Sequence, residues 1–213
     1  METKKIAIIG LGNIGKAVAG NLNRGGRSFI VAGRDTWKVE ETAKEWKGAQ
    51  VKSIAEAVKE ADIIIPAIWF NTVGEFITEY YGALQGKIIV DVSNPIAPDE
   101  NGGFKKIIDA QASAGEINSE KLPKGAYLVK ALGTLGAESL SSEAFANPRK
   151  VLFYATDEQS INPEVEQLIK DAGFEPLRVG GIDQSIRIEV FGDLHEFGAI
   201  GKTVTLDEAK TKI

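Results

Sequence analysis

The sequence contains no cysteine, so disulfide bonds, thiolate metal sites and a cysteine nucleophile are all excluded. It contains a single histidine, His195, and acidic residues outnumber basic ones, which gives a formal net charge of -5. A negative net charge argues against non-specific binding to nucleic acid or to an anionic membrane surface. We therefore predict no metal ion, no nucleic acid and no membrane among the partners of this chain.

Long apolar runs are also missing. No run approaches the roughly 20 residues that a membrane-spanning helix needs, and the first residues lead directly into a strand pattern rather than a secretory signal. Hydrophobic residues make up 43% and charged residues 26% of the chain, as is usual for a globular protein. We expect a cytoplasmic protein.

A glycine-rich motif of the form G-x-G-x-x-G lies between a β-branched apolar run and a segment with helical apolar spacing. It comprises Gly10, Leu11, Gly12, Asn13, Ile14 and Gly15. A strand, this turn and a helix, in that order, begin a dinucleotide-binding βαβ unit. The first glycine makes the tight turn, the second lets the backbone approach a pyrophosphate, and the third lets the helix pack against the strand. The amino end of that helix would face the phosphates.

Short apolar strands alternate with helical segments along the rest of the chain. This alternation predicts an α/β fold with a doubly wound, mostly parallel Rossmann-type sheet, helices on both faces and a small C-terminal helical part. We expect a nucleotide-binding domain over residues 1–135 and a smaller part over residues 136–213 that completes the sheet and the acceptor cleft.

Local signals give several element boundaries. Ser53 followed by Glu56 predicts a capping box at the start of a helix, and Pro66 predicts the end or a bulge of a buried strand. We also predict a helix over residues 104–114 and a long C-terminal helix that Asp183 caps and that runs to about Phe197.

The end of the second strand favours NADP over NAD. Gly33 occupies the position where an NAD site places an acid for the ribose 2′-hydroxyl, and Arg34 follows with a guanidinium suited to a phosphate. Lys38 supplies a second charge one helical turn later. Asp35 is the counter-evidence, since a shift of the strand end by one residue would make it the ribose acid.

These features lead to a family resemblance that covers nearly the whole chain. The chain resembles the NADP-dependent coenzyme F-420 (deazaflavin) oxidoreductases and their bacterial relatives described as dinucleotide-binding oxidoreductases. The resemblance rests on segments 6–15, 33–34, 86–95, 129–134, 172–176 and 187–189. The chain departs from the usual family pattern at Gly33, where serine is usual, at Trp69-Phe70, where Pro-Trp is usual, and at Leu132-Gly133-Thr134, where Phe-Asn-Thr is usual.

The resemblance implies direct hydride transfer between NADP(H) and a planar acceptor that lie face to face in a cleft, with the cofactor carrying the chemistry. It also suggests a homodimer. No catalytic nucleophile is then required, and His195 is a weak catalytic candidate that either protonates a reduced acceptor or simply packs in a helix.

Further candidates follow the strands whose carboxyl ends meet at one sheet edge, where ligands bind in such folds. Trp69 packs either on the cofactor or in the core, and Asn94 binds either the cofactor or its own turn. The pair Arg187 and Glu189 is either a structural ion pair or a substrate contact. The predicted cofactor-binding residues are Gly10, Leu11, Gly12, Asn13, Ile14, Gly15, Gly33, Arg34, Lys38, Ala67, Ile68, Trp69, Asn94, Pro95 and Ala131.

Three functions remain open on the sequence. The first is an NADP(H)-dependent oxidoreductase that acts on a deazaflavin, a flavin or a similar planar acceptor. The second is an imine or carbonyl reductase on a small metabolite, which would need a proton donor such as His195, Lys130 or Thr134. The third is a protein that senses NADP(H) without turnover.

Overall fold

The structure is a computed structural model that describes residues 4–100 and 102–213. Within these residues the strands are β1 (Ile6–Ile9), β2 (Phe29–Ala32), β3 (Ala49–Val51), β4 (Ile63–Pro66), β5 (Ile88–Asp91), β6 (Ile96–Pro98), β7 (Phe104–Lys106), β8 (Tyr127–Lys130), β9 (Val151–Ala155) and β10 (Glu175–Gly180).

The α-helices of the same residues are α1 (Asn13–Arg24), α2 (Thr36–Ala43), α3 (Ile54–Glu60), α4 (Phe70–Glu79), α5 (Ala114–Ser119), α6 (Ala137–Ser142), α7 (Asn162–Asp171), α8 (Ser185–Ile188) and α9 (Leu206–Ala209). Short 3-10 turns cover Tyr81–Leu84, Gln159–Ile161 and Ile182–Gln184. None of the helices over residues 4–100 and 102–213 is long and apolar enough to cross a membrane.

Eight of these strands form one sheet in the order β10-β9-β8-β5-β4-β1-β2-β3. Neighbouring strands are parallel except at β8 and β9, which pair antiparallel. The order reverses at β1, because β2 and β3 extend to one side and β4, β5 and β8 to the other. The structure therefore confirms the predicted doubly wound, mostly parallel sheet, and a crevice for a ligand is expected at the point of reversal.

The core lies on both faces of this sheet, because side chains alternate along each strand. In β1, Ile6 and Ile8 pack in one apolar cluster with α1 and α7, while Ala7 and Ile9 pack in another with α3 and α4. Strands buried on both faces explain the continuous apolar runs in the sequence. Pro66 is the last residue of β4, as predicted. Its missing N–H therefore does not interrupt the hydrogen bonds of the strand residues before it.

Two predicted helices are wrong. Residues 104–106 form β7, which pairs antiparallel with β6 through Ile96 and Lys106, and α5 begins only at Ala114. The predicted helix from Asp183 to Phe197 ends at Ile188, where the chain turns away and Phe191 adopts a positive φ of 73°. In the first segment, pairing of β7 with β6 across a short loop overrides the local helical spacing. In the second, the contact of Glu189 with the distant helix α5 does so.

Candidate functional site

The glycine loop connects β1 to α1 with very close backbone packing. Gly10 has a positive φ of 99°, and a Cβ at Gly15 would lie 2.1 Å from the Gly10 carbonyl oxygen. A Cβ at Gly12 would instead meet nothing within 4 Å. The first and third glycines are thus needed for the packing of the loop, whereas the second leaves an open approach to the backbone.

Helix α1 presents its amino end beside that open approach. Gly12 is its N-cap and has no side chain that could bind the N–H groups of the first turn. In contrast, α2 and α3 are capped by the side chains of Asp35 and Ser53. First-turn N–H groups without a side-chain cap, together with the helix dipole, form a site for an anion such as a pyrophosphate.

The end of β2 supplies the exposed cations that the sequence predicts. Gly33 follows the strand, and the side chains of Arg34 and Lys38 are both exposed. The carboxylate of Asp35 accepts a hydrogen bond from the Lys38 backbone N–H at 3.1 Å. Asp35 therefore has a structural role as the N-cap of α2, which weakens the case for it as a ribose ligand.

A cleft of about 360 Å³ opens at the carboxyl edge of the sheet, between the glycine loop and the C-terminal segment. Seven of the fifteen predicted cofactor-binding residues line it, together with the catalytic candidate His195: Gly12, Asn13, Ile14, Ala67, Ile68, Trp69 and Asn94. Pro95 and Ala131 are buried outside this lining, and Gly33, Arg34 and Lys38 lie beyond it at the end of β2.

Three aromatic side chains line the cleft and are largely exposed. Trp69 is 62%, Phe104 is 51% and Phe197 is 60% accessible to solvent. They come from three distant parts of the chain: the start of α4, strand β7 and the C-terminal segment. Exposed aromatic groups around one concave site are typical of surfaces that bind a planar apolar ligand.

The side chain of Asn94 is engaged within the protein. Its Nδ2 donates to the Gly133 carbonyl at 2.9 Å, and its Oδ1 accepts from the Val190 N–H at 2.8 Å. It joins the end of β5 to the turn after β8 and to the C-terminal segment. The structure thus places Asn94 in the cleft wall, where its amide joins two distant segments rather than its own turn.

A buried ion network lies behind this wall. The ammonium of Lys130 is 3.2 Å from Asp91 Oδ2 and 3.5 Å from Glu189 Oε1, and it also donates to the Ser93 carbonyl. All three ionisable side chains are almost completely buried. Since Lys130 is enclosed by these acceptors, it fixes the turn after β5 and is not available as a proton donor in the cleft.

Glu189 connects the network to α5. Its two carboxylate oxygens accept hydrogen bonds from the backbone N–H groups of Ala114 and Gly115, each at 2.9 Å. Burial raises the pKa of Glu189, while Lys130 and the two N–H donors oppose that rise. Arg187 pairs separately with Asp193 near the surface. Arg187 and Glu189 therefore do not pair with each other: Glu189 belongs to a buried ion pair and Arg187 to an exposed one.

His195 is completely buried at the cleft wall. Its Nδ1 accepts a hydrogen bond from the Phe197 N–H at 3.0 Å, and its Nε2 has no hydrogen-bond partner among the described residues. Burial lowers the pKa of His195 to about 4, against a smaller opposing effect of the Gly133 carbonyl, which approaches the ring without meeting the geometry of a hydrogen bond. The ring is therefore neutral near pH 7, which argues against an imidazolium acid.

Sequence reasoning missed part of the wall. Its members are Val92, Ile96, Phe104, Leu135, Gly136, Ala137, Val190 and Phe197. Most are ordinary apolar residues, and they belong to the wall only because the chain returns there several times. Phe70 and Ser93 also line the wall, at strand ends that the sequence places at the ligand-binding edge. One local signal was available, since Val92, Ser93 and Asn94 directly follow β5 at the ligand-binding edge.

Known proteins are similar to this chain in sequence and in fold. Residues 5–95 match the family model of the coenzyme F420-dependent NADP oxidoreductases. This match confirms the family resemblance and, with it, NADP as the cofactor of the family. The chain is also similar to a solved structure of a hypothetical protein from Sinorhizobium meliloti, with a TM-score of 0.81, 25% identity and coverage of 95% of each chain.

Two curated relatives are a metalloreductase and a ketol-acid reductoisomerase. The metalloreductase STEAP3 of Rattus norvegicus is 28% identical over 189 residues, which covers 88% of this chain and 36% of the relative. The ketol-acid reductoisomerase (NADP(+)) of Bifidobacterium animalis subsp. lactis is 28% identical over 238 residues, which covers 95% of this chain and 66% of the relative. The chain thus spans about a third of the length of the metalloreductase and just under two thirds of the length of the reductoisomerase.

Proposed function

We propose that this chain is an NADP(H)-dependent oxidoreductase that transfers a hydride between the nicotinamide and a planar acceptor such as a deazaflavin or a flavin. The observation that carries the proposal is the composition of the cleft lining. It combines residues of the glycine loop with the exposed aromatic side chains of Trp69, Phe104 and Phe197. The first group suits a dinucleotide and the second a flat aromatic ring.

The residues of the nucleotide half fit NADP. The open side of Gly12 and the amino end of α1 would hold the pyrophosphate, and Arg34 with Lys38 would hold the 2′-phosphate. When bound, NADPH supplies the hydride. The task of the chain is to hold two rings in near-attack geometry and to keep water out, and neither task requires a nucleophile.

The donors required by an imine or carbonyl reductase are engaged or ill suited. Lys130 is held by Asp91 and Glu189, and the Thr134 hydroxyl is buried with the Phe153 carbonyl as its partner at 3.4 Å. His195 is neutral near pH 7. These contacts favour an acceptor that needs no proton from the protein.

We propose the same division of the chain as in the sequence analysis. Residues 1–135 form a nucleotide-binding domain, and residues 136–213 form a smaller part that completes the sheet and the acceptor cleft. Because that part leaves Phe191 exposed outside the cleft lining, we propose a homodimer that covers it. We also propose a cytoplasmic location.

Calorimetric titration with NADPH and NADH tests the nucleotide half. Arg34→Glu should weaken NADPH binding by about tenfold or more, because a charge-assisted hydrogen bond is lost and a repulsion gained. NADH binding should change by less than about twofold. Lys47→Glu is the control, since it makes a similar charge change just before β3, at the amino ends of the strands, whereas Arg34 lies at their carboxyl ends. Equal losses for both nucleotides would contradict the NADP assignment.

Oxidation of NADPH with a panel of flavins, a deazaflavin and imines, followed by the absorbance of the reduced nicotinamide, tests the acceptor. Trp69→Ala should raise the KM for the planar acceptor by about tenfold through the loss of ring contact. Tyr81→Ala is the control, because Tyr81 is also exposed but lies in the turn Tyr81–Leu84, outside the cleft lining. Tight NADPH binding without oxidation by any acceptor would favour a sensor instead.

A further inference from the structure

Two polar atoms in the cleft wall are buried without a hydrogen-bond partner among the described residues. They are the hydroxyl oxygen of Ser93 and Nε2 of His195. Ser93 is only 4% and His195 0% accessible to solvent. A buried polar atom without a partner costs free energy, so two of them in the wall of one cleft indicate a ligand that supplies the partners.

The hydrogen-bonding character of the two atoms follows from their surroundings. Since Nδ1 of His195 accepts from the Phe197 N–H, the single proton of the neutral ring lies on Nε2, which is therefore a donor. The Ser93 hydroxyl can donate or accept. Together they match a group that combines a carbonyl oxygen with an adjacent N–H, that is, an amide.

The position of Ser93 relates this pair to one end of the dinucleotide. The 2′-phosphate cations follow β2 and the glycine loop follows β1, so the other half of a dinucleotide would extend toward the ends of β4 and β5. Ser93 lies two residues after β5. The neighbouring Asn94, which the sequence suggests for the same task, is engaged with Gly133 and Val190.

We propose that Ser93 and His195 form an amide-binding subsite that recognises the carboxamide of the nicotinamide ring. This inference rests on the proposed NADP(H) function. The His195 N–H donates to the carboxamide oxygen, and the Ser93 hydroxyl accepts from its amino group. Both protein atoms are buried in the wall, so the two side chains must rotate for a ligand in the cleft to reach them. The imide edge of a flavin or deazaflavin has the same chemistry, and the experiment separates the two sources.

Calorimetric titration of four variants with NADP⁺ and with 2′-phospho-ADP-ribose, which lacks the nicotinamide, tests this subsite. Ser93→Ala removes an atom that has no protein partner, so we expect unchanged or higher thermal stability. His195→Asn keeps an acceptor near Nδ1 but removes Nε2. Each should weaken NADP⁺ binding by about three- to tenfold and leave 2′-phospho-ADP-ribose binding unchanged.

Two controls complete the design. His195→Gln extends an amide N–H toward the position of Nε2 and should recover part of the NADP⁺ affinity. Ser185→Ala removes a buried hydroxyl that is bonded to Ser113, outside the cleft, and should lower stability without changing affinity.

The outcomes separate this inference from the function on which it rests. Equal losses for both ligands in Ser93→Ala and His195→Asn would overturn the subsite. Unchanged affinity for both ligands, with weaker binding of FMN, would assign the pair to the acceptor and overturn the nicotinamide assignment. If the parent protein binds neither ligand, the proposed function fails instead.

Discussion

The two ends of the cleft are built from different kinds of contact. In residues 5–95, the tightest contact of the glycine loop joins Gly15 to the Gly10 carbonyl five positions away, and the loop also packs on Ala67 after β4. In residues 96–213, the wall depends on distant contacts: Glu189 binds the Gly115 N–H across 74 positions, and Glu196 binds the Gly136 N–H across 60. The nucleotide end is therefore determined locally, and the acceptor end is determined by the finished fold.

The strongest test of this contrast is Lys130→Met, which removes the cation that joins the two regions. Asp91 and Glu189 would remain buried with no positive partner. We expect a loss of about 4 kcal/mol in the free energy of unfolding, because the carboxylates lose their charge compensation. Urea unfolding followed by circular dichroism measures it. The exposed pair of Lys170 and Glu166 provides the control, since Lys170→Met should cost less than about 0.5 kcal/mol. Similar losses in both variants would contradict the role of the network.

Gly15→Ala tests the local packing at the other end. The added Cβ would lie 2.1 Å from the Gly10 carbonyl oxygen, so the loop must shift. We expect a loss of about 3 kcal/mol in stability and of nucleotide binding, since overpacking of close backbone contacts is strongly unfavourable. Gly20→Ala in the same helix is the control, because its Cβ meets only Trp46 at 3.9 Å. That variant should be stabilised by about 0.5–1 kcal/mol. Normal NADPH binding by Gly15→Ala would show that the close approach is not required.

The same contrast explains which elements the sequence predicts correctly. The sheet, the capping box of Ser53 and Glu56, and the strand end at Pro66 are confirmed, because each depends on apolar runs or on residues a few positions apart. The helices predicted over 104–114 and 183–197 are wrong. A hairpin between β6 and β7 decides the first segment, and Gly102 and Gly103 between the two strands are a local signal for it. The contact of Glu189 with α5 decides the second segment, and it cannot be inferred from local spacing.

The site shows the same division. The glycine loop and the strand ends that follow it can be recognised in sequence, because the dinucleotide motif has a fixed order of elements. Phe104 and Phe197 cannot, since nothing near them in the chain distinguishes a cleft aromatic from a core aromatic. Ser93 is intermediate: its position after β5 is predictable, but its lack of a protein partner appears only in the folded structure.

The pH dependence of stability tests whether His195 belongs to the buried wall. The folded protein resists protonation of this ring, whose pKa falls from 6.5 to about 4. The contribution of His195 to the free energy of unfolding is therefore fully present above pH 6.5 and is lost as the pH falls toward 4. From pH 7 to pH 5 the loss is about 2 kcal/mol. His195→Asn removes this titration. From pH 7 to pH 5 the free energy of unfolding of the variant should therefore fall by about 2 kcal/mol less than that of the parent protein. Parallel curves for the two proteins would contradict the buried position.

The smallest expected difference compares one local motif in the two regions. Ser53 and Ser113 are both N-caps followed three residues later by glutamate, Glu56 in one region and Glu116 in the other. Ser53→Ala should cost about 1 kcal/mol, the usual value for the loss of a cap near the surface. Ser113→Ala should cost about 1 kcal/mol more, because Ser113 is fully buried and its loss leaves the Ser185 hydroxyl without its partner at 2.8 Å. Urea unfolding of the two variants measures the difference. Equal costs would mean that the distant contact adds nothing to the local motif, and that the two regions are stabilised alike at their helix starts.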